Sequence, residues 1–215
     1  MKVEKSSPAL QPLWMGRRLV ILPKGAEPAL GDGRIPIWIE SGGIFGTGGH
    51  PTTRLCLKAL ERLLPPGGMA ADIGTGTGIL AVAAAKLGAP YVLAVDNDPD
   101  AVRAASRNVR LNGAENQVTV RLGSVERVRR EVKARGPVSL AVANILADVL
   151  EDFFSKGLVA VLQPGGGLVL SGFLAAQTPA IRACLVISGF ELLSQERERE
   201  WICLLARRLG SPERS

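Results

Sequence analysis

The chain has 215 residues, with 26 Lys and Arg against 20 Asp and Glu, a formal net charge of +6, and 47% apolar and 21% charged residues. That length and balance suit one folded domain with appendages, or two small ones, and exclude disorder. The charge would suit nucleic acid, yet aromatics at 4% are few for a protein that stacks on exposed bases, and the longest apolar run, residues 79–85, is far too short to span a membrane.

Pro8, Pro12, Pro23, Pro28 and Pro36 break up the first 45 residues. They predict a β-rich lead-in over 1–45 with strands at 18–22 and 35–40, too short for a core of its own, ahead of a domain over 46–215. A glycine-dense loop then opens a helix over 52–64, whose Leu57, Leu60, Leu63 and Leu64 share one face and which Pro65-Pro66-Gly67-Gly68 ends. From residue 69, strands at 69–73, 91–95, 118–122, 138–143 and 167–171 alternate with helices at 78–87, 99–111, 125–135, 147–162 and 176–187. Two last strands, 190–195 and 201–206, have only a charged turn between them and must pair antiparallel, or one must reverse into the sheet edge. The expected fold class is α/β: a doubly wound, mostly parallel seven-stranded sheet with an antiparallel edge strand.

Residues 70–88 hold the sharpest local signal, an apolar strand entering Asp72, then Gly74, Gly76 and Gly78, then a helix of small residues. Such glycines permit a tight turn and close approach of a ligand to the backbone, at a helix start with free N–H donors. Asp96 closes the next strand, where a carboxylate can accept both hydroxyls of a ribose. A dinucleotide loop would need a small residue at position 79, which is Ile79, so a nucleoside without a pyrophosphate is expected. In the preceding loop, FGTGGHPTT at 45–53, Thr52 or Thr53 can cap the helix. His50 there is read as a packing or capping residue rather than a base. At the end of the fourth main strand, Asn144 points its amide into the crevice where a second substrate would sit.

The D-x-G-x-G-x-G loop with its later acid resembles the class I methyltransferases that use S-adenosyl-L-methionine, over residues 69–207. FGTGGHPTT, DIGTGTG, AVDNDP and ANIL, in this order, resemble the ribosomal protein L-eleven methyltransferase family (PrmA type) over about residues 14–207. That resemblance implies methyl transfer to the N-terminal amine and lysines of a large-subunit ribosomal protein in the cytoplasm. It places cofactor contacts on Thr53, Gly74, Asp96 and Asn144, to which the loop adds Asp72 and Gly76, and it makes Asn144 the catalytic residue. Asp98 falls to capping the helix that Pro99 begins. Relatives acting on base amines carry Asn-Pro-Pro-aromatic at this strand end; here Ile145 and Leu146 follow Asn144, so no stacking platform is expected and an aliphatic amine suits the site. The family also carries a substrate-gripping domain of several dozen residues, with nothing of that length here before Trp14.

The three cysteines lack a CxxC pair and read as reduced thiols; with one histidine they leave little for a metal site, and none is expected. Arg121, Arg127, Arg129, Arg130, Lys133 and Arg135 face only Glu126 and Glu131 over residues 121–135. Pairs Glu126/Arg130 and Glu131/Arg135 predict a solvated helix face, the alternative being a weak RNA contact. Methylation of a small-molecule amine or of another protein, or a non-catalytic adenosylmethionine- or RNA-binding module, are the other readings left open.

Overall fold

Strands buried on both faces read as continuous apolar runs, and β4 (Ala70–Ile73), β5 (Val92–Asp96) and β7 (Val138–Asn144) are of this kind. The computed structural model describes residues 12–27, 33–40 and 42–210. These three strands centre a sheet of seven, with β6 (Val118–Leu122), β8 (Leu162–Leu174), β9 (Phe190–Glu198) and β10 (Trp201–Arg208), in the order β6-β5-β4-β7-β8-β10-β9. β4 to β8 run parallel; β10 pairs antiparallel with β8 on one side and β9 on the other. The closing antiparallel pair thus lies at one end of the sheet, with β10 inserted between β8 and β9.

Helices α1 (Pro51–Leu63), α2 (Ile79–Lys86), α3 (Pro99–Leu111), α4 (Val125–Arg135), α5 (Ala147–Ser155) and α6 (Thr178–Ile187) cover the two faces. Side chains alternate across each strand with period two. Val92 and Ala94 on β5 therefore join one core with α1 and α2, whereas Leu93 and Val95 join the other with α4, α5 and α6. The chain winds from β4 outward to β6, then returns to place β7 on the other side of β4. Strand order reverses at β4 and β7, and a crevice opens beyond their C-terminal ends.

The lead-in forms its own small sheet of β1 (Leu13–Met15), β2 (Leu19–Pro23) and β3 (Ile35–Ile39), with β1 antiparallel and β3 parallel to β2. Its apolar face does not stand alone: Met15, Leu19, Ile21, Ile37 and Ile39 belong to the same core as α1 and α2. α3 replaces the missing fourth strand. Asn108 Oδ1 accepts from Glu40 N–H at 2.9 Å while its Nδ2 donates to the Glu40 carbonyl at 3.0 Å. Asn112 does the same to Trp38, at 2.9 and 2.7 Å. Residues four apart on a helix advance about 6 Å, and residues two apart on a strand nearly 7 Å, so two amides can continue a ladder.

Two expectations change. The helix expected over 147–162 stops at Ser155, because Gly157 turns into the left-handed region (φ 82°) and a short 3-10 turn, Leu158–Val161, follows. The apolar run after that glycine belongs to this turn and to β8. On α4 the ion pairs are not the two expected: Arg127 pairs with Glu131 at 3.1 Å, and Glu126 with Lys156 at 3.4 Å. Arg135 lies over the Tyr91 ring, and Arg129 donates to the Lys156 carbonyl. Among the described residues, no helix is long and apolar enough to cross a membrane.

Candidate active site

At the end of β4 the chain must reverse within a few residues to start α2. Gly74 (φ 79°) and Gly76 (φ 55°) take conformations that side chains resist. A β-carbon at Gly74 would collide with Ile145, and one at Gly76 would stand 2.7 Å from the Phe45 carbonyl. These glycines therefore admit two other segments of the protein to the loop, a purpose the sequence reading, which reserved the space for a ligand, did not anticipate. Thr77 latches the FGTGG loop in place, its N–H donating to the Phe45 carbonyl (3.1 Å) and its hydroxyl to the Gly46 carbonyl (2.5 Å).

Asp72 lies under this turn. Its Oδ2 accepts from the Thr75 hydroxyl at 2.6 Å and from Ala81 N–H at 3.1 Å, while Oδ1 is buried without a partner. Burial pushes its pKa up to about 7, against the two hydrogen bonds that lower it, and the nearby Asp96 charge adds to the rise. Asp96 closes β5 and accepts from Gly76 N–H (2.9 Å) and Asp98 N–H (3.0 Å), leaving lone pairs on both oxygens for a ligand. Asp98 caps α3 as expected, accepting from Asp100 N–H at 2.8 Å.

Two cavities meet at Asn144. The first, ≈ 330 Å³, is walled by Gly74, Gly76, Asp96 and Asn144, with apolar surface from Val149 and Phe153. The second, ≈ 230 Å³, is walled by His50, Thr52, Asn144, Gly172 and Trp201. Phe45, Ile145 and Leu146 border both. Asn144 Nδ2 reaches Thr53 Oγ1 at 3.5 Å, and its Oδ1 is buried with no partner. Buried acceptors are nearly always satisfied, so an orphan carbonyl between two cavities is one that a ligand N–H can complete.

Four of the six sequence-predicted residues, Gly74, Gly76, Asp96 and Asn144, wall the first cavity. Thr53 and Asp72 are fully buried behind the walls, Thr53 holding Asn144 and Asp72 holding the glycine loop. The cap of α1 is His50, not Thr52 or Thr53: its Nδ1 accepts from Thr52 N–H at 3.3 Å and bonds the Thr52 hydroxyl at 2.8 Å. Burial, then the neighbouring Arg54 charge, lower its pKa below the usual histidine value. Ile145 and Leu146 follow Asn144, and aromatic surface reaches the site from other segments. Phe45 and Trp201 flank His50 edge-on, with centroids 5.3 and 4.7 Å away, and all three wall the second cavity. No motif flagged Trp201; its only sequence signal is its place directly after the charged turn that closes the sheet.

The doubly wound sheet, the glycine loop and the carboxylate at the end of β5 define a Rossmann-like methyltransferase fold. A family model described as Ribosomal protein L11 methyltransferase (PrmA) matches residues 3–209, and the chain belongs to that family. It is 41% identical over 196 residues to the ribosomal protein L11 methyltransferase of Symbiobacterium thermophilum, covering 91% of this chain and 62% of that one. To the protein of the same name from Synechococcus sp. (strain RCC307) it is 43% identical over 202 residues, covering 92% and 65%. The crystal structure of a ribosomal protein L11 methylase from Lactobacillus delbrueckii subsp. bulgaricus superimposes with a TM-score of 0.81 at 33% identity, over 93% of this chain and 99% of that one. The chain thus spans less than two thirds of the length of these curated relatives.

Proposed function

We propose that this chain is an S-adenosyl-L-methionine-dependent methyltransferase acting on amino groups of ribosomal protein L11, at a lysine side chain or the N-terminal amine, in the cytoplasm. The observation that carries the reading is the unpartnered Asn144 carbonyl at the junction of two cavities. The first cavity fits the cofactor: Asp96 keeps lone pairs for ribose hydroxyls, Val149 and Phe153 offer apolar surface, and the glycine turn brings backbone close. When bound, the cofactor supplies a methyl group on a sulfonium centre.

The second cavity receives the amine. A lysine must arrive neutral, at a cost of about 4.6 kcal/mol at pH 7 for a pKa near 10.4; an N-terminal amine near 7.7 costs about 1 kcal/mol. Asn144 Oδ1 accepts one N–H and turns the nitrogen lone pair toward the first cavity. Thr53, itself fixed within α1, holds the Asn144 amide in that orientation. Alignment of this kind supplies much of the acceleration of an in-line displacement. With Nδ1 committed to the cap of α1, His50 serves as wall rather than base, and the amine proton leaves to water. Aromatic faces also attract alkylammonium ions, which suits an acceptor whose product is cationic.

The mouth favours a protein substrate over a small molecule. Phe45 is 53% and Leu146 65% exposed at the shared border, apolar surface that a bound polypeptide would cover. An RNA contact through residues 121–135 gains little: Arg127, Arg129 and Arg135 are already engaged within the chain. The test is incubation with labelled S-adenosylmethionine and a lysate from cells lacking the protein. One labelled band at the size of L11 supports the reading, and label confined to small molecules or RNA overturns it.

A further inference from the structure

Ile145 directly follows Asn144 and borders both cavities, and glycines hold it from two sides. On the cofactor side its Cγ2 methyl occupies the space that a β-carbon on Gly74 would need. On the amine side lies Gly172 of β8, which walls the second cavity at φ 96°. A β-carbon there would collide with the Ile145 carbonyl and stand 2.6 Å from its nitrogen. Gly172 is also the extra residue of a β-bulge. β10 pairs Ile202 with Phe173 and Cys203 with Ser171, which leaves Gly172 without a partner on that strand. The residue before it is tied to both neighbouring strands. Ser171 pairs with Asn144, its carbonyl accepts from Ile145 N–H at 3.0 Å, and its hydroxyl donates to the Ile202 carbonyl at 2.7 Å. Bulges beside binding sites commonly re-aim a neighbouring side chain.

We infer that Ile145 is a positioning residue, a wedge seated between the cofactor loop and the bulge of β8 that fixes the direction of the Asn144 carbonyl. The inference rests on the amine reading of the second cavity. Asn144 is the last residue of β7, so what holds its backbone from beyond the strand is Ile145, through its N–H bond to Ser171 and its two glycine contacts. A β-branched side chain has a restricted χ1, so the Cγ2 methyl acts as a fixed spacer against the turn that carries Gly74. Branching at Cβ, rather than bulk, is therefore the property required. Valine keeps both γ-carbons, whereas leucine matches isoleucine in volume and has only one. A misaimed carbonyl leaves both cavities their walls, so the effect falls on kcat more than on KM or cofactor affinity.

The test compares Ile145→Val with Ile145→Leu in the full chain, both conservative enough to fold. The side-chain amide of Asn144, identified as the pair of proton signals lost in Asn144→Ala, reports its orientation. Those signals should stay in place in the Val variant and shift or double in the Leu variant. With labelled S-adenosylmethionine and purified L11, the Val variant should keep kcat within about twofold, and the Leu variant should lose about tenfold or more with cofactor affinity nearly unchanged. Placed on Asn144→Ala, the Leu change should cost nothing further, since both act through one carbonyl. Wild-type amide signals or turnover in the Leu variant, equal losses in both variants, or losses that multiply with Asn144→Ala overturn the inference, even where the wild type methylates L11. Amide signals that move in the Leu variant alone, in a protein that transfers no methyl group, uphold the inference and sink the methyltransferase reading.

Discussion

A carboxylate with one oxygen satisfied and the other buried without a partner, as at Asp72, binds its proton more tightly in the folded chain than in the unfolded one. The shift from 3.8 to about 7 corresponds to roughly 4 kcal/mol. The sign follows from linkage: between these values the native state holds the proton and the unfolded state has lost it, so stability falls as pH rises through this window and levels above it. In Asp72→Asn the two hydrogen bonds to the turn can persist without this charge. Urea unfolding at pH 4.5, 6 and 8 should show the stability of the variant gaining on the wild type as pH rises, and a constant difference would refute the assignment. At Asn144 the expectation concerns rate. Asn144→Ala should cut turnover at least a hundredfold with cofactor affinity within a few-fold, measured by single-turnover kinetics and calorimetry; near-normal turnover would rule out its orienting role.

At the scale of elements, α3 is tied to the lead-in and to the glycine loop through one side chain. Asn108 is fully buried, bonds both backbone groups of Glu40, and donates to the Thr77 carbonyl at 2.8 Å. Asn108→Ala would strand those groups, and orphaned buried polar groups cost about 1–3 kcal/mol each. A loss of about 2–4 kcal/mol is expected in chemical denaturation, accompanied by weaker cofactor binding because Thr77 anchors the loop. The sequence did not disclose this joint. Asparagine on a helix reads as a surface or capping residue, and its partners Glu40 and Thr77 stand 68 and 31 positions away. The strands, by contrast, were legible as apolar runs between breakers, since burial on both faces leaves no other composition. Where an apolar stretch continued past Gly157, periodicity alone could not separate helix from strand, and the boundary was missed.

Across the whole molecule, the cofactor side of the site was readable because its residues sit on one strand–loop–helix unit and the strand beside it. The second cavity was not, since its walls join Phe45 and His50 of one loop to Trp201 about 150 residues further on, and the packing of β10 beside β8 puts Trp201 there. The same long-range packing makes the lead-in part of the catalytic core. Met15, Leu19, Ile21, Ile37 and Ile39 are each at least 94% buried in the core that α1 and α2 share. At about 1.5–3 kcal/mol per side chain, their burial is worth on the order of 10 kcal/mol, as much as the whole stability of a typical domain. Removing residues 1–45 should therefore leave no independently folded methyltransferase unit. It would bare the apolar faces of α1 and α2, lose the Glu40 and Trp38 partners of Asn108 and Asn112, and free the loop that Thr77 holds. The full chain should unfold in urea in one cooperative transition seen equally by tryptophan fluorescence and circular dichroism. The shortened chain should show a broad, shallow transition and bind a hydrophobic dye in buffer. A sharp transition in the shortened chain, with cofactor affinity retained, would show that the small sheet is an appendage after all.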